Sequence, residues 1–239
     1  MSLDDFEIAD CQKFLDIFSK WPDPTWGFFV YATYSLSTTE GDDERPSTAD
    51  MPAPIAPDAR FQRVLDKLRA YASAQLLLSK PAPYGQRILD TLRLVPAARL
   101  PGASLDDVRA HFRTHIDEVS PEPHVREDKF GPGYSWCLVV DDESLASVEA
   151  GPEPLTELPE GTRYRKATVA ETGVWVRAVH VGWDGRPKVV AQMGRGKSGQ
   201  IVWEGSLKVC PRAMMKLWWR AWDGEVTKEF RGADKVYDL

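Results

Sequence analysis

The sequence is poor in cysteine and has no long hydrophobic run. Its three cysteines, Cys11, Cys137 and Cys210, are odd in number and widely spaced, which argues against a disulfide framework. No apolar stretch approaches the roughly 18 residues that a membrane span requires. The first residues, MSLDDFEIADCQKF, are acidic and lack the basic start and apolar run of a secretory signal. We therefore expect an intracellular, cytoplasmic protein that does not bind a membrane.

A strong excess of positive charge is also missing. The net charge of −6 over 239 residues argues against a generally basic nucleic-acid-binding chain. Hydrophobic residues make up 43% of the chain and charged residues 28%, which is a globular composition of sufficient length to bury a core. We expect a single α+β domain over residues 1–239.

Hydrophobic periodicity predicts alternating helices and strands in the first 150 residues. Residues 25–142 read as a β-α-β-α-β unit, which fits a ferredoxin-like or similar α/β layer. The proline-rich and acidic segment 36–58 predicts a flexible insertion loop within it. The predicted elements, in chain order, are helix 4–20, strand 25–35, helix 59–79, strand 88–96, helix 104–119, strand 134–142 and helix 143–150.

The pattern changes after residues 150–161, which we interpret as a linker between the α/β layer and a second group of strands. Four short β-branched and aromatic segments, RYRKATVAE, GVWVRAVHV, KVVAQM and QIVWEGSLKV, predict an antiparallel β-meander. Pro211 then fits the first position of a C-terminal helix, and Gly224 fits its end.

Three short motifs resemble an uncharacterised family of fungal intracellular proteins. They are WGFFVYATYS, LPGASLDDVRAHF and YSWCLVVDDESLAS, and the resemblance covers about residues 25–185. The family pattern is Trp-Gly-Phe/Tyr-x-Val/Ile-Tyr, then Gly-Ala-Ser-x-x-x-Val-Arg-x-x-Phe, then a Cys-Leu-Val-Ile-Asp-Glu strand. Ala32 stands where the family has arginine, and the 36–58 loop is unusually long. The resemblance implies one intracellular domain and supplies no activity or catalytic residue.

Residues 191–198, AQMGRGKS, satisfy the relaxed phosphate-loop pattern after an apolar strand. A phosphate loop requires a helix that begins at its Lys-Ser pair, because the helix amides and dipole hold the phosphates. Here Gly199 and the β-branched, aromatic run 200–203 follow instead, which is typical of a strand. We predict a glycine-rich hairpin turn with Lys197 and Ser198 in solvent, and no nucleotide bound through Lys197.

Three acidic residues, Asp141, Asp142 and Glu143, lie at the end of a predicted buried strand, where α/β proteins tend to bind ligands. Clustered carboxylates there suit Mg²⁺ with waters. They equally suit the N-terminus of the helix that follows, where negative charge is favourable. We favour the helix cap and keep the three residues as candidate catalytic groups.

Two histidines, His111 and His115, stand four residues apart on one predicted helix, with Asp107 four residues earlier. These are ligand types that zinc or iron sites use. The face they share flanks the apolar stripe of the helix, so we favour solvated histidines at the domain edge and predict no metal or other cofactor. Both histidines remain candidate catalytic residues.

The charge of the chain reverses near its C-terminus. Residues 186–220 contain eight cations and one acid, Glu204, for a local charge of +7, and six of the nine tryptophans lie beyond residue 170. On a continuous helix from residue 211, the spacing of Arg212, Lys216 and Arg220 predicts one basic stripe, with Trp219 beside it.

We keep several functional interpretations open, and whether the protein is an enzyme is not decided by the sequence. The first is a non-catalytic binding protein whose basic, tryptophan-rich C-terminal region recognises an anionic small molecule or an acidic protein partner. The second is an enzyme with a pocket between the α/β layer and the meander, using the clustered carboxylates and histidines. The third is a ligand cavity inside the meander. We favour the first, because no group of residues in the sequence defines a catalytic constellation.

Overall fold

The structure of the protein is a computed structural model. It describes residues 3–19, 25–35, 58–119, 134–162, 164, 171, 173–191, 200–222, 224, 226–229 and 235–237. Most of the predicted flexible loop, the glycine-rich segment 192–199 and most of the first predicted meander strand lie outside these residues.

Helices and strands alternate through the first part of the chain, and strands dominate the second. The helices are α1 Leu3–Phe18, α2 Ala59–Ser79, α3 Tyr84–Asp90, α4 Leu105–Val119, α5 Asp142–Ala150, α6 Met214–Trp222 and α7 Val226–Glu229. The strands are β1 Trp26–Ala32, β2 Leu92–Arg99, β3 Trp136–Val140, β4 Val176–His180, β5 Lys188–Ala191, β6 Gln200–Trp203, β7 Ser206–Val209 and β8 Val236–Tyr237.

The predicted β-α-β-α-β unit forms a parallel, doubly wound layer. Strand β1 lies between β2 and β3 and pairs in parallel with both. The connection from β1 to β2 runs through α2 and α3 on one face of the sheet, and the connection from β2 to β3 runs through α4 on the other. The α/β layer is thereby confirmed, and a ferredoxin-like form of it is not.

The second half does not form the predicted four-strand meander. Strand β4 pairs antiparallel with β3 and β7, and β8 adds to β7 in parallel, which completes a mixed six-stranded sheet. Strands β5 and β6 form a separate antiparallel pair. The predicted strand 200–209 is broken because Gly205 adopts a φ of +73° and packs against the Trp183 ring. Residues 164 and 171, the described part of the first predicted meander strand, are not in a strand.

Buried side chains form a core on each face of the sheet. The larger core packs α1, α2, α3, α5 and α6 against one face, and the smaller packs α4 against the other. Every residue of β3 is buried, as its continuous apolar run predicts for a strand covered on both faces.

Local signals set most of the element boundaries. Ser104 and Asp107 form a reciprocal cap at α4, in which Asp107 N donates to Ser104 Oγ (3.2 Å) and Ser104 N to Asp107 Oδ2 (2.9 Å). Gly224, with a φ of +67°, follows the C-terminal helix as predicted. The strand predicted over 88–96 starts late, because its first residues complete α3, where Ile88 is buried and its carbonyl accepts from Trp26 Nε1 (2.8 Å).

The described residues after α5, 151–162, contain neither helix nor strand. The first of them are held on α2, where Lys67 Nζ donates to the Gly151 carbonyl (2.7 Å). Their interpretation as a linker stays a prediction. Among the described helices, none has both the length and the apolar character needed to cross a bilayer.

Candidate functional site

The carboxyl edge of the parallel strands is the place where the fold predicts a ligand. The chain leaves β1 toward α2 on one face and leaves β2 toward α4 on the opposite face. Diverging connections at neighbouring strand ends mark the ligand-binding edge of open α/β sheets. Two backbone hydrogen bonds hold together the segments that follow β1 and β2. Leu100 N donates to the Ala32 carbonyl (2.8 Å), and Gly102 N donates to the Thr33 carbonyl (2.9 Å).

A buried arginine lies at this edge. Arg99 is the last residue of β2, is 2% exposed, and is in register with Ala32 at the end of β1. Its guanidinium carbon lies 5.1 Å from the centre of the Tyr34 ring, and its Nη1 donates to Oδ2 of Asp58. The other two guanidinium nitrogens, Nε and Nη2, are buried and have no hydrogen-bond partner. This arginine therefore has donors to offer to a further group.

Asp58 holds this arginine in place and is itself well anchored. It is the N-cap of α2, where Oδ1 accepts from Phe61 N (2.8 Å) and from the Tyr34 hydroxyl (3.3 Å). Burial acts to raise the pKa of Asp58, but the Phe61 hydrogen bond and the Arg99 charge outweigh it and hold the pKa below its ordinary value. Burial, and then the Asp58 charge, raises the pKa of Tyr34, so the phenol stays protonated and donates.

A second ion pair lies nearer the surface on the same edge. Arg60 Nε and Nη2 each donate to one oxygen of Glu149 at 2.7 Å, which joins α2 to α5. The Arg60 guanidinium also lies 5.7 Å from the Tyr34 ring. The two side chains are 38% and 42% exposed, so solvent screens this pair and its contribution to stability is small.

The sequence did not single out Arg99, Asp58 or Tyr34. They come from three separate segments and meet only because β1 and β2 pair and α2 begins beside their ends. Ala32, at the end of β1, is the register partner of Arg99 at the end of β2.

The acidic residues after β3 form a helix cap, as favoured from the sequence. Asp141 Oδ1 accepts from Ser144 N (2.8 Å), Asp141 N donates to Ser144 Oγ (2.8 Å), and Asp141 Oδ2 accepts from Arg177 Nε (2.9 Å). Asp142 accepts from the Ser35 amide (3.0 Å). Glu143 lies 3.7 Å from Lys208 Nζ. Each candidate carboxylate thus has a structural partner, and Ser35 and Asp142 tie the ends of β1 and β3 together.

Replacing Asp141 with asparagine is expected to lower the free energy of unfolding at pH 7 by about 1.5 kcal/mol, because asparagine keeps the cap but loses the charged bond from Arg177. Burial acts to raise the pKa of Asp141, but hydrogen bonds from Ser144 and Arg177 outweigh it, so the pKa is lowered. The stabilisation is therefore complete above the ordinary carboxyl pKa and is lost as the pH falls through the lower folded value. Urea unfolding at pH 7, 4 and 2.5 should show the wild-type advantage shrinking; an advantage that is constant with pH contradicts this. Glu143→Gln, at an exposed carboxylate, is the control.

The histidine pair packs against β1 and is half-buried, which agrees with the predicted boundary position, although the two rings are only partly solvated. Tyr31 Oη lies 3.2 Å from His111 Nδ1, His111 and His115 stack with centroids 6.4 Å apart, and His115 packs edge-on against Phe29. Burial, and then the neighbouring His115, lowers the pKa of His111.

Nothing in the described part of the chain joins these histidines to the carboxylates after β3. No hydrogen bond, ion pair or ring contact between described residues links the two groups. Within the same residues, no three histidine, cysteine or acidic side chains stand close enough to hold a metal ion. The two candidate clusters are therefore separate structural features of the sheet.

The predicted basic stripe of the C-terminal helix is interrupted at its first residue. The segment opens with a 3-10 turn, Pro211–Ala213, so the angular spacing of a continuous α-helix does not apply to Arg212, which is 2% exposed. Trp219 is half-buried and stacks on Phe14, with ring centroids 5.4 Å apart, and Lys13 Nζ lies 5.4 Å from its ring. Lys216 Nζ lies 5.4 Å from the Tyr237 ring. Arg212 turns inward, and Trp219 and Lys216 pack within the chain.

The phosphate-loop-like segment joins two paired strands. Residues 192–199 lie outside the described part of the chain, and the strands on either side pair antiparallel, with Ala191 opposite Gln200. The strand predicted after Gly199 is present as β6. The absence of nucleotide binding through Lys197 stays a prediction.

Comparison of the chain with known protein families, with curated proteins and with solved structures gives no match. The fold and the edge site define a mixed α/β protein with a buried arginine where doubly wound sheets bind ligands. A proposal for its function therefore rests on the geometry of this edge.

Proposed function

We propose that this chain is a non-catalytic binding protein for an anionic ligand, received at the carboxyl edge of β1 and β2. The observation that carries the proposal is Arg99, a buried cation at that edge with two unpaired donor nitrogens. A buried donor left without an acceptor costs about 1–3 kcal/mol, and more when the group is charged. An anion that enters this position removes that penalty, which gives the ligand a favourable contribution from a group already in place.

Binding is favoured over catalysis because the candidate reactive groups already have partners in the described structure. Asp141 caps α5, Asp142 accepts from Ser35, and His111 lies against Tyr31. A general acid or base requires a group poised toward a substrate rather than one held by the fold. The edge that carries Arg99 is instead arranged to hold charge in a fixed position.

The edge is also favoured over the C-terminal region as the place of the anion. Arg212 is buried, and Lys216 and Arg220 each interact with other residues of the chain. Trp219 is stacked on Phe14. The three cations of the predicted stripe therefore make contacts within the protein, and an acidic partner that binds Lys216 and Arg220 becomes an outcome to test.

Thermal melts of the wild type with phosphate, sulfate, acetate and benzoate, at matched ionic strength, test the proposal. An anion that binds the folded state at 100 times its Kd adds about 2.7 kcal/mol, which raises Tm by roughly 5–11 °C in a protein of this size. Arg99→Met should abolish the rise. This variant should fold, because the Asp58 side chain is 35% exposed to solvent and keeps its bonds from Phe61 N and the Tyr34 hydroxyl when the arginine is removed.

The matched control is the double variant Lys216→Gln with Arg220→Gln, which should keep the full response to anions. If the double variant loses the response and Arg99→Met keeps it, the C-terminal region is the binding surface and the edge proposal is wrong. If none of the anions stabilises the wild type more than Arg99→Met, the proposal is equally contradicted, since general salt effects act on both proteins alike.

A further inference from the structure

We infer that the group bound by Arg99 is an oxyanion with two available oxygens, either a carboxylate or a phosphoryl group. It accepts two hydrogen bonds side-on, one from Nε and one from Nη2. This inference rests on the proposed function and names the chemistry of its ligand. The structural basis is that the two unpaired nitrogens are neighbours on one edge of the guanidinium, while Nη1, on the other side, donates to Asp58. The free donors therefore form one fork and are not scattered around the group.

The fork matches an oxyanion because of its geometry. The N–H bonds of Nε and Nη2 run nearly parallel, at a spacing that fits the two oxygens of a carboxylate or two oxygens of a phosphoryl group. A charge-assisted pair of this kind is roughly twice as strong as a neutral hydrogen bond and fixes the orientation of the ligand. A chloride ion offers no pair of acceptors at this spacing and satisfies the fork less well.

The fork is already fixed in direction before a ligand arrives. The backbone of Arg99 is held by its register with β1, its guanidinium lies against the Tyr34 ring, and its Nη1 is held by Asp58. A free arginine side chain loses rotamer entropy when it is immobilised. In the folded protein the Arg99 side chain is already immobilised, so its rotamer entropy is lost on folding and not on ligand binding. A ligand that reaches the fork therefore binds a preorganised group.

Asp58 defines which side of the arginine keeps unpaired donors. Its carboxylate takes Nη1 and also accepts from Phe61 N and the Tyr34 hydroxyl, so it is held by three elements of the site. Because its own pKa is lowered, it stays charged and keeps Nη1 engaged over the physiological pH range. A second carboxylate is thereby directed to Nε and Nη2, the edge that Asp58 does not occupy.

Arg99→Lys tests the fork apart from the charge. Lysine keeps the positive charge but has one nitrogen and no parallel donors, so we expect acetate and inorganic phosphate to bind it at least 10-fold more weakly than the wild type. Isothermal titration with acetate, inorganic phosphate and chloride measures this, and chloride should bind the wild type weakest. Whether acetate or phosphate binds more tightly separates a carboxylate ligand from a phosphoryl ligand.

The outcomes distinguish this inference from the proposed function. If acetate or phosphate binds the wild type and Arg99→Lys with equal affinity, anion binding stands and the side-on fork is wrong. If neither binds the wild type more tightly than Arg99→Met, both the proposed function and this inference are wrong.

A second readout serves in case Arg99→Lys does not fold. In the ¹⁵N-labelled wild type, the Arg99 Nε–H signal, assigned by its absence in Arg99→Met, should move on addition of acetate or phosphate and stay in place with chloride. A signal that no oxyanion moves overturns the inference.

Discussion

Gly27→Ala is expected to remove most or all of the stability of the protein. A β-carbon at residue 27 would lie 1.8 Å from the backbone oxygen of Arg93, on the neighbouring strand. Gly27 also has a φ of +139°, which alanine rarely adopts. Because the obstacle is backbone in the paired strand, no side-chain rotation relieves it, and β1 and β2 must separate at the start of their ladder. We expect a loss of about 4 kcal/mol or more, which is the range of severe substitutions.

Urea unfolding and thermal melts measure this effect, and a loss of 4 kcal/mol corresponds to a fall in Tm of roughly 8–16 °C for a domain of this size. Gly185→Ala is the matched control. Gly185 has a φ of +76° but nothing within 4 Å of the β-carbon position. Its replacement by alanine therefore measures only the cost of the positive φ, about 1 kcal/mol of unfolding free energy. Equal losses in the two variants would show that β1 and β2 accommodate the added carbon and that the close approach at Gly27 is not limiting.

The helices were predictable where both a cap and a long apolar period were present. Helix α2 covers 59–79 as predicted, because Asp58 caps it and its buried residues recur at helical spacing. The cap of α5 by Asp141 was equally readable, since a capping interaction spans only three residues. The strand predicted over 88–96 was misplaced because a short apolar run fits a helix end and a strand start equally well.

The pairing of the strands was less predictable, because it depends on contacts that are distant in sequence. The last three segments of the predicted meander contain strands, yet β7 pairs with β4 and leaves β5 and β6 as a separate pair. Local composition sets each strand, but the partner is chosen by the faces that must be buried. The break at Gly205, which packs under Trp183, is likewise a tertiary feature.

The edge site was the least predictable part of the molecule. Tyr34, Asp58 and Arg99 are separated by 24 and 41 residues, and no spacing rule connects them. The charge count pointed instead to residues 186–220, where the cations are many, but Lys208, Arg212, Lys216 and Arg220 have contacts within the fold. A single buried arginine outweighs several surface cations as a binding candidate, because exposed charges are screened by solvent and salt.

A second buried arginine, Arg109 of α4, is expected to be essential for joining α4 to the antiparallel half of the sheet. Arg109 is 3% exposed, and its Nε donates to the His180 carbonyl (3.1 Å) while its Nη2 donates to the Gly205 carbonyl (3.1 Å). Its Nη1 donates to Asp106 Oδ1 (2.6 Å), and the guanidinium lies 4.6 Å from the Trp183 ring. In contrast to Arg99, every nitrogen of this group has an acceptor, so its role is structural.

Arg109→Ala should lower the free energy of unfolding by about 3–5 kcal/mol, because it removes the charged hydrogen bonds to the His180 and Gly205 carbonyls, each worth about 1.5–3 kcal/mol, and leaves these carbonyls only their backbone donors, Trp183 N and His180 N. Arg113→Ala is the control, since Arg113 is exposed and donates a single hydrogen bond, to the Val181 carbonyl (2.6 Å), and its loss should cost about 1 kcal/mol. Hydrogen exchange shows which strands are destabilised. In Arg109→Ala, the protection of backbone amides should fall first in β4 and β7 and later in β1 and β2. A melt no lower than that of Arg113→Ala, with exchange unchanged in β4 and β7, would show that α4 is held by the apolar contacts of Val108, Phe112 and Ile116 alone.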